Sequence, residues 1–181
     1  PGLGVRHRPQ DHAALSFRHP TDTPPMTFSS SPASSSLPAP QLDALQALVL
    51  AMPMARTLGL RFVSVQPGQV EMEIPVSESF CFRPGQLQAT AVFAIADFAA
   101  VAAAGSVLPR GWVNATVDAT LKIVAPAKGE CLRARGRVVD AGRLLTVCAS
   151  DVFAVDSHGQ ETLCATLLGT ARNIDATGGA R

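Results

Sequence analysis

The chain has 181 residues, which is enough for one domain and not comfortably for two. Its 15 basic side chains nearly balance 14 acidic ones, and the resulting net charge of +1 argues against nucleic acid or an acidic membrane surface as a partner. Charged residues make up 16% of the chain, against about 25% in an average globular protein, which indicates that much surface is buried, including surface between subunits.

Residues 1–41 are predicted to form a disordered N-terminal extension, because they hold eight of the 14 prolines and a serine-rich stretch over 29–36. The chain opens on Pro, and Met26 is a more ordinary start, so residues 1–25 are set aside as a segment that need not be native. No apolar run approaches the roughly 18 residues of a membrane-spanning helix, and no secretory signal is recognisable. We therefore expect a cytoplasmic protein, with a transit peptide as the alternative.

The folded domain is expected over residues 42–175, followed by a flexible tail over 176–181. Apolar residues recur at helical spacing over 41–52, and Pro53 interrupts the pattern. This pattern predicts a short amphipathic helix at the start of the domain.

Two strands are predicted over residues 59–65 and 69–76, joined by a proline-glycine turn. An irregular connection over 77–88 leads to an apolar run over 89–104, in which nine residues are Ala, and Gly105 ends the run. A helix without a polar face is a buried helix, and its alanines allow another element to come close.

Four further strand candidates lie over residues 112–124, 130–139, 144–155 and 162–173. Short turn signals separate the last three, as is typical of antiparallel hairpins. An antiparallel sheet wrapped around one long apolar helix is the economical α+β arrangement for these elements, and this is the hotdog fold. A generic α+β sandwich is the rival, since periodicity alone does not separate the two.

Asp97 is the outlier of the sequence, since it is the only ionisable residue between Arg83 and Arg110 and lies in the middle of the apolar helix. A carboxylate in apolar surroundings is costly, so it is protonated, hydrogen-bonded or facing a cleft. The alternative is a carboxylate that reaches solvent at the edge of the sheet. Because perturbed acids cluster at functional sites, we predict that Asp97 belongs to one.

Gln88 lies nine residues before Asp97, at the predicted start of the helix, where unpaired backbone N–H groups suit a developing oxyanion. Taken alone, Gln88 is more simply a helix cap or a solvated loop residue.

The sequence does not supply the residues that a Ser or Cys nucleophile or a metal site would require. His158 lies in a polar turn, where it does not serve a Ser or Cys nucleophile, and the sequence has no recognisable metal-ligand spacing.

Arg133, Arg135 and Arg137 alternate along one predicted strand and therefore share one face of it. This face is either a solvated surface or a phosphate-binding stripe. The solvated surface is the simpler interpretation.

Residues 58–173 resemble the hotdog acyl-CoA thioesterases of the phenylacetic-acid-degradation (PaaI-like) type. Three groups of residues carry the resemblance, in the same order and at similar spacing: Leu58-Gly59 with Pro67-Gly68 and Pro75; Ala94-Ile95-Ala96-Asp97-Phe98-Ala99; and Ala115-Thr116-Val117-Asp118 with Pro126, Gly129-Glu130 and Gly142-Arg143. The resemblance implies a hotdog fold, hydrolysis of an acyl-CoA thioester, and a homodimer or homotetramer. It implies no metal and no cofactor other than the coenzyme A of the substrate.

Asp97 matches the helix acid of this family, which activates water or attacks the thioester. The family places His-Gly-Gly nine residues ahead of the acid, where this chain has Gln88-Ala89-Thr90. The resemblance therefore assigns the oxyanion contact to the Ala89 N–H and leaves Gln88 as a substitute for the His. Thr116 matches the Ser or Thr that helps to hold the water.

The same resemblance suggests residues that bind substrate. The Arg83-Pro84-Gly85 entry is similar to a branch of the family that also replaces the His, and Phe82 stands where many members have Asn. Three phenylalanines, Phe82, Phe93 and Phe98, are expected to line an apolar or aryl acyl pocket, with a place in the core as the alternative for all three. Arg143 is expected to attract the phosphates of coenzyme A. The predicted substrate-binding set is Phe82, Arg83, Gly85, Phe93 and Arg143.

Two further hypotheses compete with the thioesterase. The departures from the family's His and Asn suggest a non-catalytic acyl-CoA-binding module. A hotdog dehydratase is the third hypothesis, but it needs a catalytic His in the body of the protein, and His158 is badly placed.

Overall fold

The computed structural model describes residues 39–177. The predicted disorder of the N-terminal extension and the C-terminal tail falls almost wholly on residues 1–38 and 178–181, which lie outside the described residues. The first helix, α1 (Ala39–Ala51), begins slightly ahead of the expected start of the domain. Within the described part of the chain, no helix has the length and apolar character needed to cross a membrane.

Pro53 begins a second helix, α2 (Pro53–Leu58), where only the end of a helix was predicted. A proline at the first helical position is favourable, because its missing N–H would have no partner there and its fixed φ suits the helix. Gly59 ends α2 with φ 66°, and its N–H donates to helix carbonyls. The proline therefore marks a boundary between two helices.

Eight strands, a short 3₁₀ helix (Glu78–Phe80) and one long helix complete the described chain. The long helix is α3 (Ala89–Gly105). The strands are β1 (Arg61–Gln66), β2 (Gln69–Pro75), β3 (Cys81–Arg83), β4 (Gln86–Leu87), β5 (Trp112–Ile123), β6 (Cys131–Ala141), β7 (Leu145–Val155) and β8 (Glu161–Asp175). The six longer strands form one antiparallel sheet in the order β1-β2-β6-β7-β8-β5.

The helix α3 lies against one face of this sheet and contacts β2, β6, β7, β8 and β5. Strand residues alternate between this inner face and an outer face, as the period of two requires. The inner face carries Met72, Leu132, Val152 and Leu167, all of which are fully buried against the helix. The α+β hotdog arrangement predicted from the sequence is thus confirmed.

The connection predicted to be irregular contains a short hairpin, β3–β4, that leads into α3. Pro84 and Gly85 form its turn, and Gly85 takes φ 68°, which glycine adopts without strain. The Gln88 N–H donates to the Phe80 carbonyl at 2.9 Å, so the hairpin is attached to the first turn of the helix.

Gly136→Ala should destabilise the fold. A Cβ at this position of β6 would overlap the carbonyl oxygen of Ala99, because α3 lies directly on this part of the sheet. Overpacking of a close-packed core costs about 1–3 kcal/mol, and a clash with backbone lies at the upper end or beyond. The free energy of unfolding in urea measures the loss. Val139→Ala, an exposed neighbour on the same strand, is the control and should change stability by no more than about 0.5 kcal/mol.

Candidate functional site

Asp97 lies in the middle of α3 with its side chain half-buried. The Thr116 hydroxyl on β5 donates a hydrogen bond to Asp97 Oδ1 at 2.9 Å. Burial raises the pKa of the Asp97 carboxyl above its ordinary value of 3.8, and the hydrogen bond from Thr116 acts in the opposite direction. Within the described residues, Oδ2 receives no hydrogen bond and is therefore free to accept a proton.

A β-bulge in β5 explains why Thr116 faces the helix. Thr116 pairs with Ala171, and the next pair along the strand joins Asp118 to Thr170, so Val117 is an extra residue. Before the bulge, the side chains of Asn114 and Thr116 bond to α3. The bulge shifts by one residue which side chains of β5 face inward. Even-numbered residues face α3 before it, and odd-numbered residues such as Ala119 and Leu121 pack against the core after it.

A cavity of about 230 Å³ opens beside the Asp97 carboxylate, between α1, α3 and β5. We call it the Asp97 cavity; it is lined by Leu45, Leu48, Val49, Met52, Asp97, Phe98, Val101, Ala102, Gly105, Leu108, Trp112, Val113, Asn114, Ala115 and Thr116. Asp97 is the only ionisable residue among these. An apolar pocket with a few convergent polar groups is the usual form of a small-molecule site.

Cys148 on β7 lies near Asp97 beneath the helix. Burial, with a smaller contribution from the Asp97 charge, raises the pKa of its thiol to about 11. The thiol therefore stays protonated at neutral pH and is a poor nucleophile. Among residues 39–177, no group of three or more His, Cys, Asp and Glu side chains is arranged to hold a metal ion.

The predicted residues Gln88 and Ala89 lie at the start of α3, about 12 Å along the helix axis from Asp97. Gln88 is the N-cap, but its exposed side chain makes no capping hydrogen bond. The nearby Arg83 guanidinium donates to Gln86 Oε1 at 2.8 Å and stacks over the Phe82 ring at 5.2 Å. Within one chain, this end of the helix does not meet Asp97.

The other two predicted substrate-binding residues lie apart from both groups. Phe93 is on α3, four residues before Asp97, and is 38% exposed, but it does not line the Asp97 cavity. Arg143 follows β6 and lines a different cavity of about 430 Å³ beyond the C-terminal end of α3. The predicted set is therefore divided among the two ends and the middle of the helix.

Arg133, Arg135 and Arg137 share the outer face of the sheet, as predicted, and all three bond carboxylates. Arg133 and Arg135 donate to Glu161 at 2.7–2.8 Å, and Arg137 donates to Asp151 at 2.9 Å. Because their guanidinium groups are engaged by acids, this face fits a solvated ion-pair surface. It does not fit a phosphate-binding stripe.

The sequence did not reveal the part that α1 plays in the site. Its apolar stripe predicted an amphipathic helix, but the period of the stripe does not say which surface it covers. Leu45 and Leu48 from this stripe form a wall of the Asp97 cavity. The sequence analysis also missed Asn114, whose side chain donates to the Val101 carbonyl at 2.9 Å. It could have been found as a polar residue two positions before Thr116, and therefore on the same face of the strand.

Solved structures resemble this chain over most of the described residues. A thioesterase family protein from Silicibacter pomeroyi is 30% identical, with a TM-score of 0.70, and the match covers 74% of this chain and 98% of that one. A thioesterase from Haemophilus influenzae is 19% identical, with a TM-score of 0.66 and coverage of 77% and 94%. The PaaI protein of the Escherichia coli phenylacetic acid degradation operon is 20% identical, with a TM-score of 0.61 and coverage of 71% and 88%, and so shares the fold. No family model and no curated protein sequence matches.

Asp97→Asn should raise the melting temperature at neutral pH. The folded chain binds the Asp97 proton more tightly than the unfolded chain, because burial raises the pKa. The ionised carboxylate therefore destabilises the fold above the folded pKa, and this cost disappears as the pH falls through that pKa toward the unfolded value. The amide removes the charge and still accepts from Thr116.

Differential scanning calorimetry over a range of pH checks this expectation. The gain in melting temperature should shrink as the medium is acidified. Asp118→Asn, which changes an exposed carboxylate on β5, should leave the melting temperature nearly unchanged. A lower melting temperature for Asp97→Asn at neutral pH would mean that the carboxylate stabilises the fold.

Proposed function

The chain belongs to the hotdog-fold thioesterase family, and from this premise we propose that it hydrolyses an acyl-CoA thioester to a free acid and coenzyme A. The observation that carries the proposal is the Asp97 carboxylate, held by Thr116 at the wall of an apolar cavity. A carboxyl group with a raised pKa is suited to take up a proton during catalysis.

The proposed reaction uses the free oxygen of Asp97. As general base, Oδ2 takes a proton from a water molecule while the water oxygen attacks the thioester carbonyl. The C–S bond then breaks, and the proton passes to the departing thiolate. In the alternative role, Oδ2 attacks the carbonyl itself, the C–S bond breaks and the coenzyme A thiolate leaves. Water then cleaves the resulting anhydride, which releases the free acid and restores the Asp97 carboxylate; the proton freed from this water balances the departing thiolate. Thr116 orients the carboxylate in both cases.

We assign the oxyanion contact to the Ala89 N–H, which is one of the unpaired donors in the first turn of α3. Since Ala89 and Asp97 are about 12 Å apart along one helix, a single chain does not present both to one carbonyl. A second copy of the chain, which brings the start of its α3 to the first copy's Asp97, completes the site. The proposal therefore requires a homodimer or a larger homo-oligomer.

The edge strand β5 offers a surface for this association. It pairs with β8 on one side only, and it carries Val117 and Ile123 with exposures of 57% and 50%. A long apolar edge strand is normally covered in a stable protein, because its free N–H and C=O groups pair readily with another strand. Analytical ultracentrifugation measures the oligomeric state at the concentration used in the activity assay. A protein that is a monomer there and still hydrolyses acyl-CoA would contradict the two-chain site.

Asp97→Asn should reduce kcat for acyl-CoA hydrolysis about 100-fold to 10,000-fold, because the amide neither accepts the proton nor attacks the thioester. Release of free thiol from a panel of aliphatic and aryl acyl-CoAs measures the rate. Gln88→Ala should cost less, since its amide only orients substrate or water. Asp118→Asn is the matched control and should keep wild-type turnover.

The same panel separates the enzyme from the non-catalytic module. Gln88 stands in place of the family's His, and its side chain makes no capping hydrogen bond at the helix start, which favours the second candidate. If the wild type bound acyl-CoA in calorimetry without releasing thiol, the chain would be a binding module. If Asp97→Asn turned over at the wild-type rate, Asp97 would not be the catalytic acid.

Thr116→Val should move the acid limb of the pH profile of kcat/KM to higher pH. The Thr116 hydrogen bond stabilises the ionised carboxylate and so lowers the pKa of Asp97; its removal leaves the raising effect of burial unopposed. Activity requires the ionised form, so more alkaline conditions are needed to reach it. Thr116→Ser retains the hydroxyl and should keep the wild-type midpoint. Identical profiles for the Val and Ser variants would show that Thr116 does not control this ionisation.

A further inference from the structure

The side of α3 that carries Asp97 is only partly covered along the first half of the helix. Ala89, Phe93 and Asp97 follow one another at spacings of four residues and therefore lie on the same side, and none of them is buried. We call these three residues the open stripe of α3. Val101 and Gly105 continue this side at the same spacing, but they line the Asp97 cavity, where α1 lies beside the helix.

Phe93 is the large apolar side chain of the open stripe, and it is 38% exposed. Its neighbours Val92 and Ile95 are 1% and 0% exposed, because they belong to the core. A single exposed aromatic ring is common on protein surfaces, so its exposure alone identifies no function. Its position does carry information, since Phe93 lies midway between Ala89 and Asp97, the two residues that the proposed function brings together from two copies.

Symmetry determines what lies at this midpoint. In a dimer with a two-fold axis, a contact between one position of the first chain and another position of the second implies the reverse contact as well. If Ala89 of the partner subunit reaches Asp97, then Ala89 also reaches the partner's Asp97. Two copies of α3 that exchange these contacts run antiparallel, and the axis passes halfway between the two contacts. Phe93 is at that halfway position and therefore faces the partner's Phe93.

We propose that Phe93 packs against the partner's Phe93 on the two-fold axis of a homodimer and sets the register in which each α3 supplies its Ala89 N–H to the other chain's Asp97. The proposal rests on the proposed function. The contact covers two exposed rings at once, and paired aromatic rings are favourable beyond the area that they bury. A slip of one helical turn would separate the rings and move Ala89 about 5 Å from the thioester carbonyl. In this role Phe93 is a positioning residue, because it acts through the helix start of the other chain.

The open stripe is continuous with the edge of β5, so one second copy is able to cover both. The Thr116 hydroxyl on β5 bonds to Asp97, the last residue of the stripe, at 2.9 Å. The small side chain of Ala89 allows another helix to come close, and packed helices lie about 8–10 Å apart. At that distance the Cα atoms of facing positions are about 4–6 Å apart, because each lies about 2.3 Å from its helix axis.

Disulfide cross-linking tests the place of Phe93. A disulfide spans Cα separations of about 4.4–6.8 Å, so Phe93→Cys should give a covalent dimer after mild oxidation with copper phenanthroline. Non-reducing electrophoresis measures the covalent fraction, which should exceed about one half. Val139→Cys, at a 56% exposed position of β6, is the matched control and should stay uncross-linked, as should the wild type with its four native cysteines.

A charge at the same position tests what the contact does. Phe93→Lys places two cations face to face on the axis, and like charges across an interface oppose association. The variant should sediment at half the wild-type mass and keep its circular dichroism. Its kcat should fall about 100-fold, because neither chain then receives an oxyanion donor. Val139→Lys should keep the wild-type mass and kcat. Should Phe93→Lys not fold, the cross-link decides alone.

A complementation experiment separates failure of this proposal from failure of the proposed function. Ala89→Pro removes the N–H but keeps the helix, since proline is favourable at the first helical position and Gln88 already has the extended backbone that precedes it. Heterodimers of Ala89→Pro and Asp97→Asn, purified with two different tags, have one intact pair of groups. They should regain about half of the wild-type turnover, whereas each variant alone is nearly inactive.

The outcomes are distinct. If the heterodimers regain turnover but Phe93→Cys does not cross-link and Phe93→Lys keeps its mass, the two-chain thioesterase stands and the place of Phe93 is wrong. If the wild type hydrolyses no acyl-CoA, the proposed function fails, and cross-linking and sedimentation still decide whether Phe93 lies on the axis. A wild type that is monomeric at the assay concentration would overturn both.

Discussion

The close approach of α3 to the sheet is the constraint on which the site depends. Gly136 allows the Ala99 carbonyl to lie directly against β6, and fully buried alanines continue the contact along the helix. Such a helix has almost no freedom to rotate or slide, because protein interiors are close-packed and a shift would overlap backbone atoms. Asp97 lies two residues before this contact and is therefore held against β5, where Thr116 meets it.

This arrangement places an ionisable acid in surroundings that raise its pKa and make its charged form costly to the fold. A helix of small apolar side chains offers no local partner for a carboxylate, so burial raises the pKa of Asp97, and Thr116 offsets only part of the effect. Cys148 behaves differently in the same surroundings, since burial keeps a thiol neutral at little cost. Asp97 is thus the one ionisable group in the lining of the Asp97 cavity, and the proposed function assigns the remaining, mostly apolar lining to the acyl group.

The sequence predicts the fold well because hydrophobic period and turn chemistry agree along the chain. The apolar run of α3 and the alternating strands leave few arrangements other than a sheet on a helix. The errors occur where one residue has two meanings: Pro53 ends one helix and begins another, and the segment before α3 is too short to show the period of the β3–β4 hairpin. Arg143 was assigned to substrate from its place in a motif, and this stays a prediction; sequence spacing does not reveal that its turn lies beyond the C-terminal end of α3.

The bulge at Val117 gives the two halves of the edge strand β5 different partners. It lets a single strand hold Thr116 over the helix in one half and pack against the core in the other, so β5 is committed to α3 along its inner face. β5 also lies at the edge of the sheet, where it pairs with β8 on one side only. The unpaired donors at the start of α3 are out of reach of Asp97 in the same chain for a separate reason, since the two lie about 12 Å apart along one helix. In the proposed function one reaction needs both groups, and the edge strand β5, which carries Thr116, is the surface at which we propose that a second copy supplies the helix start.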